Sequence, residues 1–174
     1  MADITVELSQ KGILEAKKLL LDYKRNVLQQ KLQLLVQRLS EEGVRIAKSN
    51  ITTLDAIFTG ELLNSIKSES GGSTKNTAIF YVVADSEHAA YVEFGTGQLG
   101  LEGSYPYPFP EGVEWNYNTG KTIFQISEGQ YGWFFPMEDG TWRFTQGMPS
   151  RPFMYETAIE LMRIAPKVAT EVFK

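Results

Sequence analysis

The hydrophobic positions of the first fifty residues follow a helical period. One stripe recurs at intervals of three or four residues, with a single interval of seven, and consists of Leu28, Leu32, Leu35, Leu39 and Ile46. Such intervals place side chains on one face of an α-helix. The pattern predicts an amphipathic helix over residues 27–49, preceded by a first helix over residues 9–23 that Ser9 caps. The stripe packs either on the domain's own sheet or, as the alternative, against another subunit.

Strand patterns begin after residue 60. The runs Leu62–Glu69 and Thr77–Ala84 flank a polar loop over residues 71–76, and together they predict a hairpin. Ile79–Val83, inside the second run, has no polar break and high β-propensity, which predicts a central strand covered on both faces. The run His88–Phe94 fits either a short helix or a strand.

The segment of residues 98–131 is rich in glycine, proline and aromatic residues, and we interpret it as a long ordered loop. A second hairpin is predicted from Trp133–Met137 and Thr141–Thr145, which turn at Glu138-Asp139-Gly140. Because Pro136 has no N–H to donate to a sheet, the pattern predicts that its strand lies at an edge.

The last element is predicted to be a helix that begins near Phe153 and is kinked or restarted near its end by Pro166. The order of elements predicts an α+β fold with one antiparallel sheet, flanked by a long N-terminal helix and a C-terminal helix. A length of 174 residues suits a single domain. Its parts are a helical front (1–50), a hairpin and strand core (51–97), an aromatic and proline-rich insertion (98–131), a second hairpin (132–147) and a C-terminal helix (151–174).

Composition and charge exclude several classes of function. The chain has no cysteine and one histidine, His88, which rules out thiolate chemistry and disfavours zinc centres and histidine-based triads. The net charge is −4, and residues 51–150 carry 12 acidic against 4 basic side chains. This balance does not suit a protein that grips nucleic-acid phosphates through a basic face. No apolar run reaches the length of a membrane span, and the N-terminus lacks signal-peptide features, so we expect a soluble protein made in the cytoplasm.

The sequence argues against two kinds of enzyme site. The run Gly95–Gly100 matches the G-x-G-x-x-G pattern, but glycine, proline and aromatic residues follow where a dinucleotide-binding site requires a helix. A glycosidase pair drawn from Glu93, Glu138 and Asp139 lacks any sign that two carboxylates converge. We therefore expect no enzymatic activity, no cofactor and no metal.

Three clusters of residues carry a recognition signal. They are Thr59–Ile66, Ala89–Gly97 and Gly147–Met154, and Gly132–Phe135 precedes the third. In this order they resemble the head–tail joining and tail-completion proteins of long-tailed bacteriophages, the small neck proteins encoded between the capsid genes and the tail-tube gene. The resemblance covers most of residues 10–170.

The resemblance implies a tail-terminator-like fold and a structural role in the virion, at the neck. Such proteins join the head to the tail, or complete the tail tube, as rings that are usually sixfold. The implied partners are further copies of the chain, the tail tube protein and the head-closure or connector proteins, while double-stranded DNA passes without specific binding. A head-closure stopper is the alternative inside the same particle, and a carbohydrate-binding module is the alternative outside it.

The candidate structural and interface residues come from these clusters. They are Gly60, Leu62, Ser65, Glu93, Phe94, Gly95, Thr96, Gly97, Trp133, Arg151, Pro152, Phe153 and Met154. The glycines allow positive φ or close backbone approach where an element ends. Arg151 is expected to pair with a carboxylate such as Glu93, to contact a neighbouring subunit, or to lie in solvent.

The aromatic residues of the insertion and the second hairpin admit three interpretations: a minor core beneath a long loop, a docking surface for a neck partner, or a carbohydrate-stacking platform. They are Tyr105, Tyr107, Phe109, Trp115, Tyr117, Tyr131, Trp133 and Trp142. The acidic residues of the same region suit a ring lumen that lets DNA pass, because carboxylates repel phosphates.

Overall fold

The computed structural model describes residues 5–56, 60–74, 77–115, 123–137 and 139–174. Thr59, Asn76, Tyr117 and Glu138, which the sequence interpretation used, lie outside these ranges, as does the side chain of Glu102. The chain is a mixture of helix and sheet, 52% helical, with a long N-terminal helix and a C-terminal helix as predicted. The prediction of one antiparallel sheet is wrong, because the strands form two small antiparallel sheets.

The N-terminal helices follow one another without a break. Helix α1 (Gln10–Asp22) leads through a π-helical turn (Tyr23–Leu28) into helix α2 (Gln29–Thr53). Ser9 is the N-cap, as predicted, because its Oγ accepts a hydrogen bond of 3.1 Å from the N–H of Gly12. The sequence pattern separated the two helices at the segment where the structure has the wider π-helical turn.

The remaining elements alternate between short helices and short strands until the final helix. In chain order they are α3 (Glu61–Ser65), β1 (Ile66–Ser73), β2 (Ala78–Ala84), α4 (Ala89–Phe94), α5 (Gly97–Glu102), β3 (Phe124–Ser127), β4 (Gln130–Pro136), β5 (Trp142–Thr145), β6 (Gly147–Met148) and α6 (Phe153–Phe173). The predicted strand Leu62–Glu69 begins only at Ile66, because its first residues form α3. The interpretation of residues 98–131 as a loop is wrong in part, since that segment includes most of α5 and all of β3.

The chain divides into two compact units. The first comprises Met1–Ile46, Lys67–Val83 and Ala158–Lys174, and the second comprises Ala47–Ile66 and Ala84–Thr157. Each unit contains one of the two sheets. No helix in the described ranges is long and apolar enough to cross a membrane.

In the first unit, α2 and α6 pack against the two-stranded sheet of β1 and β2. Gly43 permits close packing there, because a Cβ on it would lie 2.6 Å from Val82 Cγ2 and 3.0 Å from Leu161 Cδ1. Ile46, at the end of the leucine stripe, is buried, whereas Leu32 near its start is exposed. The stripe therefore packs on the chain's own sheet only over its C-terminal part.

The prediction that Ile79–Val83 is a central strand covered on both faces is wrong. Strand β2 has β1 as its neighbour in a sheet of two strands, and the side chains of Ile79 and Tyr81 are exposed. Alternate residues of a strand point to opposite faces, so an unbroken apolar run leaves one face apolar and open when nothing covers it. The run alone does not reveal how many neighbours the strand has.

In the second unit, β3, β4 and β5 form an antiparallel sheet with β4 in the centre. The hairpin of β4 and β5 is confirmed, but the prediction that Pro136 marks an edge strand is wrong. Pro136 is the last residue of β4 and lies opposite Trp142. The N–H of the next residue, Met137, donates a 2.8 Å bond to the carbonyl of Thr141. Hydrogen-bonded and non-hydrogen-bonded pairs alternate in an antiparallel ladder, so the pair of Pro136 and Trp142 needs no N–H from Pro136.

Candidate functional site

Glu93, in the last turn of α4, binds the first turn of α6. Its Oε2 accepts a 2.8 Å hydrogen bond from the N–H of Met154, and its Oε1 accepts a 3.1 Å bond from the N–H of Tyr155. The first N–H groups of a helix have no partner within the helix, and a negative charge is favoured beside them. Pro152, the residue before α6, has no polar side chain, so Glu93 supplies the cap from a distant part of the chain.

Hydrogen bonds to the backbone of α4 strengthen the same contact. The hydroxyl of Ser150 donates a 2.6 Å hydrogen bond to the carbonyl of Glu93, and the N–H of Arg151 donates a 2.8 Å bond to the carbonyl of Val92. The end of α4 is therefore held by the chain immediately before α6, as well as by the first turn of that helix.

A short ladder extends the contact beyond α4. Thr96 and Gly97 form antiparallel bridges with Met148 and Gly147, respectively. The Oγ1 of Thr96 accepts a 3.2 Å hydrogen bond from the N–H of Met148. Trp133 lies against this ladder, because a Cβ on Gly97 would be 2.7 Å from its ring. We call residues 92–97 and 147–155 together the motif junction, since they unite the second and third clusters of the sequence analysis.

The predicted pairing of Arg151 with Glu93 does not occur. Within the described ranges no ion pair joins these two side chains, and backbone N–H groups bind both oxygens of the carboxylate instead. Phe153 anchors the start of α6 with a side chain that is 0% exposed, and Pro152 beside it is buried. Proline is tolerated at this point because the N–H that it lacks has no partner inside a helix.

Burial sets the titration of Glu93. The side chain is 7% exposed. Loss of hydration raises the pKa of Glu93 above its ordinary value, the hydrogen bonds from Met154 and Tyr155 lower the pKa in part, and the charge of Glu156 raises it further. The net direction is upward, so the cap is a carboxylate that resists ionisation more than an exposed one does.

Aromatic residues of the insertion pack on the motif junction. The ring of Phe94 lies 5.0 Å from Tyr105, 5.5 Å from Phe109 and 5.1 Å from Trp115, measured between centroids. The indole N–H of Trp115 donates a 2.9 Å hydrogen bond to the carbonyl of Gly95. For these residues, the interpretation as a minor core agrees with the structure.

Two tyrosines of the insertion continue this packing toward α6. Tyr107 stacks on Tyr155 with 3.8 Å between ring centroids, and its hydroxyl donates to the carboxylate of Glu156. That hydrogen bond raises the pKa of Tyr107. Burial, with the charge of Glu93 as the next cause, raises the pKa of Tyr105 to about 12. Both phenols therefore remain protonated at physiological pH.

The first cluster has a local role in the second unit. Gly60 adopts a φ of 78° directly before α3, a conformation that favours glycine. Leu62 is buried, and Ser65 Oγ donates a 2.8 Å bond to the carbonyl of Leu62. The N–H of Asp85 donates a 3.3 Å bond to the carbonyl of Ser65, which ties this short helix to the end of β2.

Sequence reasoning missed Asn50 and Thr157. The side-chain amide of Asn50 donates a 3.1 Å hydrogen bond to Thr157 Oγ1 and a 3.4 Å hydrogen bond to the carbonyl of Phe153. The hydroxyl of Thr157 donates a 2.6 Å hydrogen bond to that same carbonyl. These bonds hold the first turn of α6 from the α2 side. The signal in the sequence was a polar residue, Asn50, directly before the apolar Ile51 at the end of the leucine-striped helix.

The expectation that no helix follows Gly95-Thr96-Gly97 is wrong, because α5 begins at Gly97. The element before these glycines is the helix α4, whereas the dinucleotide-binding motif requires a strand there. Among the described side chains, no group of three histidine, aspartate or glutamate residues is placed to hold a metal ion.

Comparisons with protein-family models, with curated protein sequences and with solved structures find no significant match to this chain.

Replacing Glu93 by alanine removes the acceptor for two partly buried N–H groups, each of which costs up to about 1–3 kcal/mol when left unsatisfied. Because its pKa is raised above 4.5, the stabilisation from Glu93 is fully present below pH 4.5 and falls as the pH rises through that raised value. Denaturant unfolding from below pH 4.5 to neutral pH should show that Glu93→Ala has a lower free energy of unfolding than wild type, and that the difference is largest in acid.

The matched control is Glu87→Ala, since Glu87 is exposed in the turn before α4. Its unfolding free energy should stay within about 0.5 kcal/mol of wild type. If the loss of unfolding free energy in Glu93→Ala grew with rising pH, that result would contradict the account.

Gly95→Ala and Gly112→Ala compare a glycine inside the motif junction with one that has open space around it. The two glycines have φ values of 80° and 78°, and the ψ of 167° at Gly95 adds a conformation that is almost restricted to glycine. A Cβ at Gly95 would also lie 2.8 Å from the nitrogen of Ser150, whereas a Cβ at Gly112 meets nothing within 4 Å. Thermal or denaturant unfolding should show an extra loss of about 1–3 kcal/mol for Gly95→Ala. Equal losses would mean that the motif junction tolerates expansion.

Proposed function

We propose that this chain is a non-enzymatic structural protein of the bacteriophage neck, which forms a ring that joins the head to the tail or completes the tail tube. The observation that supports this most is the motif junction. Two of the three clusters that carry the resemblance lie about fifty residues apart in the sequence, yet they form one continuous contact. Residues that act together in this way suit a shared structural role.

The chemistry of Glu93 supports a structural rather than a catalytic role. A general base must be able to reach the proton that it removes from a substrate. Glu93 is buried, both of its oxygens accept bonds from the backbone of α6, and Ser150 and Arg151 bind the backbone beside it. The carboxylate is therefore committed to holding two segments of chain together.

Ring assembly requires two different complementary surfaces on each copy. The chain exposes many large apolar side chains, and those of the N-terminal helix are close together. Extended apolar exposure is uncommon in proteins that remain monomers, and it marks sites of protein association. The proposed partners are further copies of the chain, the tail tube protein and the head-closure or connector proteins.

The acidic side chains of the middle segment support the passage of DNA through the ring. The carboxylates of Glu111 and Glu114 are exposed. Negative charge facing the lumen would repel phosphates, so double-stranded DNA would pass without specific binding. This proposal places the protein in the virion, at the junction of head and tail.

The carbohydrate-binding alternative has less support. A stacking platform needs aromatic rings that are open to a sugar on one surface. Trp133 is buried, Trp115 packs against Phe94, and the exposed side chains of Tyr131 and Trp142 belong to opposite faces of the sheet. Trp115 and Trp133 are thus engaged inside the fold, which leaves the exposed rings of Phe124, Phe134 and Trp142 as the aromatic surface open to a sugar.

Deletion of the gene from the phage or prophage that carries it tests the proposal. Electron microscopy of induced lysates should show DNA-filled heads separate from finished tails, or tails of uncontrolled length. The first result assigns the chain to the joint and the second assigns it to termination of the tube. Heads that have lost their DNA would favour the stopper alternative.

Complementation supplies the matched control. Wild type and Glu87→Ala should restore infectious particles, whereas Glu93→Ala should restore fewer, because the start of α6 is released. Normal infectious virions from the deletion itself would overturn the neck assignment. Saturable glycan binding by the purified chain would then support the carbohydrate-binding alternative.

A further inference from the structure

The N-terminal helical segment exposes an apolar surface along its whole length. We define residues 8–27 as the arm. Within α1 and the π-helical turn the one buried residue is Gly12. The large apolar side chains of the arm are between 37% and 96% exposed, and they are Leu8, Ile13, Leu14, Leu19, Leu20, Leu21, Tyr23 and Val27.

The arm exposes a large apolar area on more than one side. Leu14 and Tyr23, nine residues apart, lie on opposite sides of the helix, so a partner on one side covers only part of the eight side chains. Isolated helices of this length are marginal in water, and most helical stability in proteins comes from packing an apolar face. A covering surface is therefore expected in the working assembly.

The charges of the arm indicate what covers it. In α1, Ile13 and Leu20 share a face with Leu14 and Leu21, and the helical period places Lys17 in the middle of that face. Pairing two arms through this face would bring one lysine against the other. Like charges at close range disfavour that pairing, so an acidic partner surface fits better than a second arm.

The second compact unit of another copy has the required charge. The arm carries five basic and two acidic residues, a net charge of +3, whereas the second unit carries 12 acidic and 4 basic residues, a net charge of −8. Opposite charges of this size guide association and fix its orientation. The arm and the second unit are therefore complementary surfaces of two copies of one chain.

Within the second unit, the three-stranded sheet offers an apolar face. Phe124, Phe134 and Trp142 are exposed, and the strand pairing places them on the same side. Phe134 contacts Phe124 and Phe144 edge to face, at 5.6 and 5.3 Å between centroids. We call these four residues the aromatic sheet face.

The dimensions and charges of the two surfaces agree. Glu128 and Asp139 lie in the turns at opposite ends of β4, whose seven residues span about 23 Å. Lys11 and Lys24 lie 13 residues apart on the arm, a rise of about 20 Å along a helix. An arm laid along β4 would bring basic side chains near both acidic turns.

We propose that the arm of one copy docks on the aromatic sheet face of a second copy. The contact is heterologous, because each copy offers an arm to one neighbour and a sheet face to another, and such contacts build rings when the rotation closes. The inference deepens the proposed function and rests on it for closure into a ring. The contact itself is open to a separate test.

The absence of cysteine from the chain allows a direct cross-linking experiment. Full-length Leu20→Cys and Trp142→Cys proteins, one with a mass tag, are mixed and treated with a short bis-maleimide. Both side chains are about two-thirds exposed, so the substitutions should leave the fold intact, which circular dichroism checks. Ser49→Cys, at an exposed site outside the arm, is the matched control.

The expected product joins Leu20→Cys of one copy to Trp142→Cys of the other and is absent with Ser49→Cys. Adding Lys17→Glu should raise the dissociation constant, measured by sedimentation, about three- to tenfold, and added salt should weaken association. A dominant product between two Leu20→Cys chains would overturn the proposal in favour of arm pairing. A chain that stays monomeric at millimolar concentration would also overturn it.

The two proposals fail in different ways. If the cross-link forms but deletion of the gene leaves infectious virions, the contact between copies stands and the neck role falls. If deletion separates heads from tails but this cross-link does not form, the neck role stands and the ring uses another contact.

Discussion

The buried carboxylate of Glu93 is the interaction on which the second unit depends most. It satisfies two N–H groups at the start of α6 that no side chain near them in sequence can satisfy. A buried charge is unfavourable unless its hydrogen bonds are made, so this group stabilises one arrangement of the chain and penalises others. The close backbone contacts at Gly95 and Gly97, and the aromatic rings around Phe94, all border that arrangement.

The packing around this carboxylate explains why so many aromatic residues occur in the insertion. Rings from Tyr105, Phe109 and Trp115 cover Phe94, which follows Glu93 in the chain. Covering the junction removes water from Glu93 and strengthens the hydrogen bonds that it accepts. The irregular, proline-rich backbone of the insertion suits this role, because it lets several rings approach one site from different directions.

Local features of the fold followed from the sequence, and features that depend on distant contacts did not. Ser9 was predicted as a cap because its signal lies within one helical turn, and the hairpin of β4 and β5 because Asp139-Gly140 marks its turn. The cap of α6 was not predictable, since Glu93 lies 61 residues from Met154. The position of Pro136 at the end of a central strand was missed for the same reason: a missing N–H does not show how many strands lie alongside.

Exchange of amide hydrogens at Met154 and Tyr155 with solvent, measured by NMR, tests the role of Glu93 most directly. The account predicts that both amides are protected in the wild-type protein, although first-turn amides of a helix lack partners inside it. In Glu93→Ala both should exchange much faster, while amides in the middle of α6 keep their protection. Fast exchange at Met154 and Tyr155 in the wild-type protein would contradict the account, because Glu93 would then not be what holds the start of the helix.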